Sequence, residues 1–434
     1  MIEGLKRKVK ETFKHRYVRN VSILAGGTAV SQLIGIAVLP LLTRLYSPED
    51  FSALAVYTSV LALLTVVSCL RLEIAIPLPK EKEQAKELLA LCLLSVLFIT
   101  LLALLIVVIF SDQIHAMTQG RLTGYLWLIP LGAMLSGFYA AFQYWCTREK
   151  SFALISKTRM TQALSGASAQ VGLGYIGVTP FGLLFGQLLN VGSGVWGLVR
   201  GYWRNNNLLN KEVTAGGLKR TFHEYDRFPK YSTFEALSNS AAIQVPVLLI
   251  ASYAVGPEVG FLMLAIRLLS APMALIGGAV AQVYLSEAAD HYQRGELKSF
   301  TVKTIWSLAK IGAPPIFFAG ASAPFLIPII FGAEWGRTGI LIAWMVPWFF
   351  MQFITSPVSM ALHITGNQKA AFILQLAGLV IRVGSVLLAG VYATKCVAEF
   401  YAVSGFLFYM IYQVVVWSVL PKDKHCRKPS KVIK

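Results

Sequence analysis

Three basic residues interrupt long apolar stretches in the second half of the sequence, at Arg382, Arg267 and Lys310. A charge at the centre of a bilayer costs about 2.5 to 3.5 kcal/mol on insertion scales, so such side chains face a polar interior or a partner group. The chemistry available to them is the binding of an anion, for which a guanidinium offers a planar pair of donors. These positions predict an anion-binding path inside an apolar bundle.

The helical faces that carry the two arginines also hold small and hydrogen-bonding residues. At helical spacing they are Gln375, Gly378, Arg382, Ser385 and Ala389, and Arg267, Ser270, Ala271, Ala274 and Gly278. Such faces are typical of a polar cavity but also of close helix packing, which we favour for the glycines at Gly186 and Gly194. Lys310 precedes Pro314 and Pro315 and is within reach of the membrane surface, where it could instead snorkel.

Matching polar faces occur in the two halves of the chain. They lie 207 positions apart and comprise Thr28, Ser31, Gln32 and Gly35 in the first half, and Glu235, Ser238, Asn239 and Ala242 in the second. The match predicts an internal repeat in which Ser31, Gln32 and Asn239 contribute to ligand binding. Glu235 could carry a coupling proton or cation, and a structural hydrogen bond to a neighbouring helix is the open alternative.

The composition requires a membrane protein. Of 434 residues, 56% are hydrophobic and 14% are charged, and the apolar residues form long blocks. A block of about 20 apolar residues can span a hydrocarbon core as a helix. Such blocks occur near 21–42, 51–76, 88–110, 125–145, 160–178, 181–199, 232–254, 259–285, 304–330, 339–362, 371–392 and 397–419. We therefore predict an all-α polytopic membrane protein with about twelve transmembrane helices.

The basic residues are distributed unevenly across the predicted membrane. If the N-terminus is cytoplasmic, 31 of the 39 Lys and Arg residues lie in cytoplasmic segments and four lie in outer turns. This asymmetry places both termini in the cytoplasm by the positive-inside rule. It also explains the formal net charge of +18, so nucleic-acid binding is not needed to account for it. The first apolar run is too long for a signal peptide and is expected to remain as the first span.

The spans divide into two equal sets. Residues 1–199 are predicted to form an N-terminal six-helix bundle, 200–231 a cytoplasmic linker, 232–420 a C-terminal six-helix bundle and 421–434 a basic cytoplasmic tail. Because each half has an even number of spans, both insert with the same orientation. We expect the two bundles to surround a central cavity.

The sequence offers no candidate for catalysis or for a cofactor. The five cysteines and six histidines are not arranged at metal-ligand or redox spacing, so no metal site is predicted. No phosphate-binding loop pattern is present, so transport against a gradient would draw on ions rather than on ATP bound to this chain. The outer turns are short, which argues against a membrane glycosyltransferase or polymerase. We predict a protein that is not an enzyme.

Three short segments have a recognisable pattern: the turn from Tyr46 to Phe51 (YSPEDF), the exit from Arg71 to Lys80 (RLEIAIPLPK) and the segment from Phe228 to Ser232 (FPKYS). They resemble the corresponding segments of Wzx-type oligosaccharide flippases of the multidrug/oligosaccharidyl-lipid/polysaccharide exporter superfamily. Within the exit segment, Arg71 and Glu73 lie at the membrane surface, where a mutual structural contact or snorkelling is favoured over transport. The resemblance covers nearly the whole chain.

The resemblance implies a substrate and a cycle. It implies that undecaprenyl-pyrophosphate-linked oligosaccharide repeat units, such as those of O-antigen lipopolysaccharide, are flipped from the cytoplasmic to the outer leaflet of a bacterial inner membrane by alternating access. Antiport with H⁺ or Na⁺ and association with other polysaccharide-assembly proteins are further expectations. One alternative is a cation-coupled drug exporter on the same scaffold. It would need an acidic cavity, and Glu235 is the only acidic residue that the sequence offers for it. Another alternative is a non-transporting assembly scaffold.

Overall fold

A computed structural model of the protein describes residues 25–205, 214–254 and 256–421, and the regular secondary structure of these residues is entirely helical. The basic segment before residue 25, residues 206–213 of the predicted linker and the basic tail after residue 421 lie outside the described residues. The predicted all-α fold class is confirmed.

The chain divides into two compact units, Met1–Ser252 and Tyr253–Lys434. The first contains α1 (Ala25–Leu45), α2 (Pro48–Ser68), α3 (Lys82–Ile109), α4 (Ser111–Met117), α5 (Leu128–Arg148), α6 (Phe152–Tyr175), α7 (Phe181–Asn205), α8 (Ala215–Glu224) and α9 (Thr233–Tyr253), whose last residue lies past the boundary. This division groups most of α9 with the first unit. The predicted division into two six-helix bundles, with a linker that ends at residue 231, stays a prediction.

The second unit contains seven described α-helices. They are α10 (Glu258–Pro272), α11 (Gly278–Arg294), α12 (Leu297–Phe331), α13 (Gly336–Thr355), α14 (Ala361–Ile364), α15 (Gln368–Tyr392) and α16 (Val397–Val419). A π-helical turn at Met273–Gly277 joins α10 to α11. The predicted span 259–285 is therefore an interrupted helix, because Pro272 has no N–H to donate to the helical hydrogen-bond ladder.

Nine helices of the described residues are long and apolar enough to cross a membrane. The three other predicted spans, 125–145, 160–178 and 259–285, lie on α5, on α6 and on the α10–α11 pair. The protein is thus a multi-pass membrane protein, and its helices are consistent with the twelve predicted spans.

The turn that opens α2 is fixed by local hydrogen bonds. Ser47 caps the helix by accepting from the Asp50 amide at 3.2 Å, and the Asp50 carboxylate accepts from the Ser47 amide at 2.9 Å. Pro48 occupies the first helical turn, where its missing N–H costs nothing. The preceding Tyr46 donates to the carbonyl of Gln170 at 2.7 Å. This bond holds the end of α1 against α6.

Helices α6 and α7 pack at van der Waals distance along a seam of small residues. A Cβ atom added at Gly166 would lie 2.8 Å from the Cβ of Asn190 and 2.9 Å from the carbonyl oxygen of Gly186. Polar side chains bond across the seam, with 2.7 Å between the hydroxyls of Ser165 and Ser193. The glycines of the sixth span therefore serve helix packing, as favoured from the sequence.

We expect Gly166→Ala to destabilise the first unit, because the added methyl meets backbone that cannot move without separating α6 from α7. Overpacking of this kind costs about 1 to 3 kcal/mol. Thermal unfolding of the purified protein in detergent measures the loss. The matched control is Gly172→Ala on the same helix, where an added Cβ has no atom within 4 Å. Equal unfolding temperatures of the two variants would contradict the close packing of the seam.

Candidate functional site

Arg382 lies in an aromatic cage inside the second unit. Its side chain extends from α15 and only 5% of the residue is exposed. The guanidinium carbon is 4.8 Å from the ring centre of Phe408, 5.2 Å from that of Trp348 and 5.8 Å from that of Tyr409. Aromatic faces within about 6 Å attract a cation through their quadrupole. The rings of α13 and α16 thus compensate part of the cost of burying this charge.

Two glycines make room for the cage. A Cβ atom at Gly378, one turn before Arg382 on α15, would lie 2.6 Å from the ring of Phe408. A Cβ atom at Gly405 on α16 would overlap the indole of Trp348. Gly378 was predicted from the sequence to share the face of Arg382. Its role in the structure is to let a ring approach α15.

The cage and its surroundings hold buried donors that lack acceptors. The Nε atom of Arg382, the Nε1 atom of Trp348 and the Nε2 atom of Gln413 are buried without a hydrogen-bond partner among the described residues. Gln413 uses its Oε1 atom to accept from the hydroxyl of Thr355 at 2.8 Å, which leaves its amide N–H groups to donate. A buried donor without an acceptor costs free energy. The free hydrogen-bonding capacity at these three side chains suits an electron-rich oxygen ligand.

The other predicted site residues of the second unit lie on α15, α10 and α12. Gln375 and Ser385 lie on α15 and are half-buried, and the Ser385 hydroxyl donates to the carbonyl of Arg382 at 2.9 Å. Arg267 lies half-buried on α10, where its carbonyl accepts from Ser270 at 3.3 Å. Lys310 is exposed on α12. Among the described contacts of Arg382, aromatic rings and not these cations are its neighbours.

The predicted site residues of the first unit lie on α1 and α9. The hydroxyl of Ser31 donates to the carbonyl of Gly27 at 2.8 Å, so it is satisfied within its own helix. Gln32, Asn239 and Glu235 are exposed, and Glu235 lies in the first turn of α9. Their side chains are accessible for the roles predicted from the sequence, which stay predictions.

Two of the segments that carry the sequence resemblance meet in the first unit. The 3-10 helix Leu72–Ala75 contacts the π-helical turn Phe228–Ser232. Beside this contact, Arg71 adopts a left-handed conformation with φ of 60° and its Nη1 atom lies 3.6 Å from Oε1 of Glu73. Only 6% of Glu73 is exposed. The mutual contact of Arg71 and Glu73 favoured from the sequence is therefore present.

Arg148 holds the same region together from α5. Its guanidinium donates to four carbonyls of the chain that joins α2 to α3, those of Ile76 at 3.2 Å, Pro79 at 2.5 Å, Lys80 at 3.4 Å and Glu81 at 3.2 Å. A guanidinium can serve several acceptors at once because its five donors lie in one plane. From the sequence, Arg148 contributes to the predicted cytoplasmic positive charge, and its hydrogen bonds to these carbonyls were not predicted.

A three-residue ionic cluster in the second unit was not predicted. Arg337 at the start of α13 donates to both oxygens of Glu258, with Nη2 2.7 Å from Oε1 and Nε 3.2 Å from Oε2, and its Nη2 lies 2.5 Å from Oε1 of Glu399. The two carboxylate side chains are 13% exposed. Each lies in the first turn of its helix, α10 or α16, where the helix dipole favours an acidic residue. The shared position of the two glutamates at helix starts is the one sequence signal that could have pointed to this cluster.

The described residues contain no group of three or more His, Cys, Asp or Glu side chains placed to hold a metal ion. Among the described residues, the donors and cations of the second unit have the chemistry to bind an anionic ligand.

Comparison with known proteins identifies the fold and a family. A family model described as "Polysaccharide biosynthesis protein" matches residues 41–339. The structure of the lipid II flippase MurJ in an inward closed conformation is similar, with a TM-score of 0.73 and 12% identity over 91% of this chain and 87% of that one. A search of curated protein sequences found no match.

Transporters of a second kind share the fold. A multidrug resistance MATE family transporter of the MOP superfamily matches in its inward-facing conformation with a TM-score of 0.58 and 14% identity, over 91% of this chain and 94% of that one. An outward-facing structure of such a transporter matches with a TM-score of 0.54 and 15% identity, over 92% and 93%. These solved structures are of transport proteins rather than enzymes, in agreement with the prediction for this chain.

Proposed function

Because the chain belongs to the polysaccharide biosynthesis protein family and has a fold used by flippases and multidrug transporters, we propose that it flips a lipid-linked oligosaccharide across the membrane. The cargo proposed is the undecaprenyl-pyrophosphate-linked repeat unit of a surface polysaccharide such as O-antigen. It moves from the cytoplasmic to the outer leaflet of a bacterial inner membrane, with both termini of the chain in the cytoplasm.

The observation that carries this proposal is the set of buried N–H groups on Arg382, Trp348 and Gln413 that lack acceptors among the described residues. A pyrophosphate presents several anionic oxygens, each of which accepts charge-assisted hydrogen bonds. Arg382, Trp348 and Gln413 offer buried N–H donors without acceptors. The glycan needs neutral hydrogen-bonding groups, for which we propose Ser31, Gln32, Asn239, Gln375 and Ser385. A cationic drug would instead require acidic groups, so the site favours the anionic cargo.

The cycle proposed is alternating access coupled to an ion gradient. Arg267 and Lys310 supply further positive charge to the path of the pyrophosphate. Glu235 is exposed near the predicted cytoplasmic end of α9 and can exchange a proton or bind Na⁺. A charged carboxylate is costly inside the membrane. Protonation of Glu235, or binding of a cation to it, would therefore lower the free energy of moving this side chain into the membrane interior.

The test is transport in proteoliposomes that contain the purified protein and a fluorescent polyprenyl-pyrophosphate oligosaccharide. We expect the protein to expose the label to an external quencher faster than protein-free vesicles do. A polyprenyl monophosphate without sugar is the matched cargo control. If neither lipid moves while a cationic dye is exported, the drug-exporter alternative is correct.

We expect collapse of both the proton and the sodium gradient to slow flipping in the same vesicles, because the chain has no recognisable ATP-binding loop. Ionophores selective for each ion identify which gradient matters. Glu235→Gln should make the rate insensitive to that ionophore. Flipping that is unaffected by both ionophores would indicate passive exchange driven by consumption of the cargo on the outer side.

A further inference from the structure

A short amphipathic helix, α8, lies within the segment that sequence reasoning treated as a linker. Thr214 caps it by accepting from the amide of Gly217 at 3.1 Å. The helix contacts the N-terminal part of α3, since the Thr221 hydroxyl donates to Oε2 of Glu87 at 2.5 Å. Thr221 is fully buried and Glu87 is 8% exposed. The linker is thus partly a docked structural element.

The contact with α3 fixes which face of α8 is free. Gly217 and Thr221, one turn apart, face α3, and a Cβ atom at Gly217 would overlap the carboxylate of Glu87. At the end of the helix, Gln84 of α3 donates to Oε2 of Glu224 at 2.7 Å. These contacts along the length of α8 prevent rotation about its axis, so the opposite face points away from the protein.

Two cations and an aromatic ring are exposed on the sides of α8 that do not contact α3. Lys219 and Arg220 are exposed, and neither forms an ion pair within the described residues. The ring of Phe222 is 37% exposed and lies one turn from Lys219 on the same side of the helix. An exposed apolar ring on a short helix that also exposes cations is typical of a helix lying in a membrane surface.

The neighbouring chain segments place α8 at the level of the membrane surface. Trp203 at the end of α7 is 52% exposed, and Tyr231 and Phe234 at the start of α9 are 71% and 67% exposed. Large aromatic residues concentrate where hydrocarbon meets headgroups. Because α8 is connected between these two helix ends, it lies on the same side of the membrane, which is the predicted cytoplasmic side.

We propose that α8 is a membrane-surface helix whose Lys219 and Arg220 bind the headgroups of anionic phospholipids, with Phe222 inserted among them. Each basic residue near an anionic leaflet contributes to attraction, and the apolar ring adds burial in the headgroup region. The occupant is bulk anionic phospholipid, because two exposed adjacent cations offer an exchangeable surface without buried donors. The proposal concerns the lipid around the protein and does not depend on the transported cargo.

The experiment uses the full-length protein in nanodiscs that contain either a photoactivatable phosphatidylglycerol or a photoactivatable phosphatidylcholine. After irradiation, labelled peptides are mapped by mass spectrometry. We expect residues 215–230 to be labelled more strongly by the phosphatidylglycerol probe. Lys219→Gln with Arg220→Gln should reduce that labelling by about five-fold for each charge removed, by the usual contribution of a basic residue near an anionic surface.

The matched control removes two exposed cations from the second unit, Arg294→Gln with Lys303→Gln, and should leave labelling of residues 215–230 unchanged. A Thr221→Val variant, which removes the hydrogen bond to Glu87, should lower the preference for phosphatidylglycerol because the basic face loses its fixed direction. Equal labelling of wild type and the Lys219/Arg220 variant by phosphatidylglycerol would overturn the proposal. Displacement of the probe by stoichiometric polyprenyl pyrophosphate would also overturn it and make α8 a cargo-reception surface.

Discussion

Replacing Arg382 by alanine is expected to slow export of lipid-linked glycan strongly while the protein still inserts at its normal level. The guanidinium is the charged member of the buried donor group proposed to bind the pyrophosphate, and hydrogen bonds to charged groups contribute about 1.5 to 3 kcal/mol. Loss of this contribution should slow flipping by about ten-fold to one hundred-fold. Removing the charge also relieves an insertion cost of about 2.5 to 3.5 kcal/mol, so poor insertion would not explain the loss. The measurements are flipping in proteoliposomes and immunoblotting of membranes.

The aromatic cage requires a control that separates charge from packing. Alanine empties space among Trp348, Phe408 and Tyr409, whereas Arg382→Met retains most of the side-chain volume without the charge. Arg382→Lys keeps a point charge but loses the planar fork, so it should recover part of the flipping rate. Normal flipping by a well-folded Arg382→Met protein would refute the binding role and leave Arg267 as the better candidate.

Replacing Arg337 by alanine is expected to give the largest loss of stability. The residue binds two carboxylates that are 13% exposed, and its removal leaves Glu258 and Glu399 adjacent and without their shared cation. Removing one partner of a buried ion pair costs about 3 to 5 kcal/mol. The expected result is a marked fall in the unfolding temperature of the purified protein in detergent.

The control for Arg337 is Lys395, an exposed cation in the short 3-10 helix Thr394–Cys396 between α15 and α16. Lys395→Ala should leave the unfolding temperature almost unchanged, since exposed charges contribute little. Adding Glu258→Gln and Glu399→Gln to Arg337→Ala should restore part of the stability by removing the repulsion. An unfolding temperature equal to that of wild type for Arg337→Ala alone would contradict a stabilising role of the cluster.

The sequence predicts the membrane-spanning helices well because hydropathy depends on local composition. The predicted ends of the spans are less accurate where a helix extends beyond the apolar residues into a polar segment. The predicted span 304–330 lies inside α12, which begins earlier, at Leu297. Its first residues include Lys298 and Ser299, which are compatible with a helix as well as with a loop, so hydropathy does not reveal where the helix begins. The π-helical turn at Met273–Gly277 was not predicted, because transmembrane helices tolerate proline and Pro272 therefore does not by itself mark an interruption.

The burial of Arg382 could be predicted, but its neighbours could not. The apolar residues on both sides of Arg382 require that its charge lie at depth, whereas the rings of Trp348 and Phe408 come from helices distant in sequence. The contacts of Arg337 could not be predicted for the same reason, because its partners lie 79 and 62 positions away in the sequence. Only the packing of helices brings such groups together, and a single sequence does not show which helices pack against each other.

The unbroken length of α12 has a consequence for where Lys310 lies. Its 35 residues correspond to about 52 Å at 1.5 Å per residue, against a hydrocarbon thickness of about 30 Å. Even at a tilt of about 40°, such a helix covers about 40 Å along the membrane normal, so roughly 10 Å must project from the hydrocarbon. The polar beginning, with Lys298 and Lys303, is the part suited to project, and Trp306 next to it is 64% exposed. Lys310, one turn beyond Trp306, then has its ammonium within reach of the phosphate layer, as the next cation along α12 after Lys303.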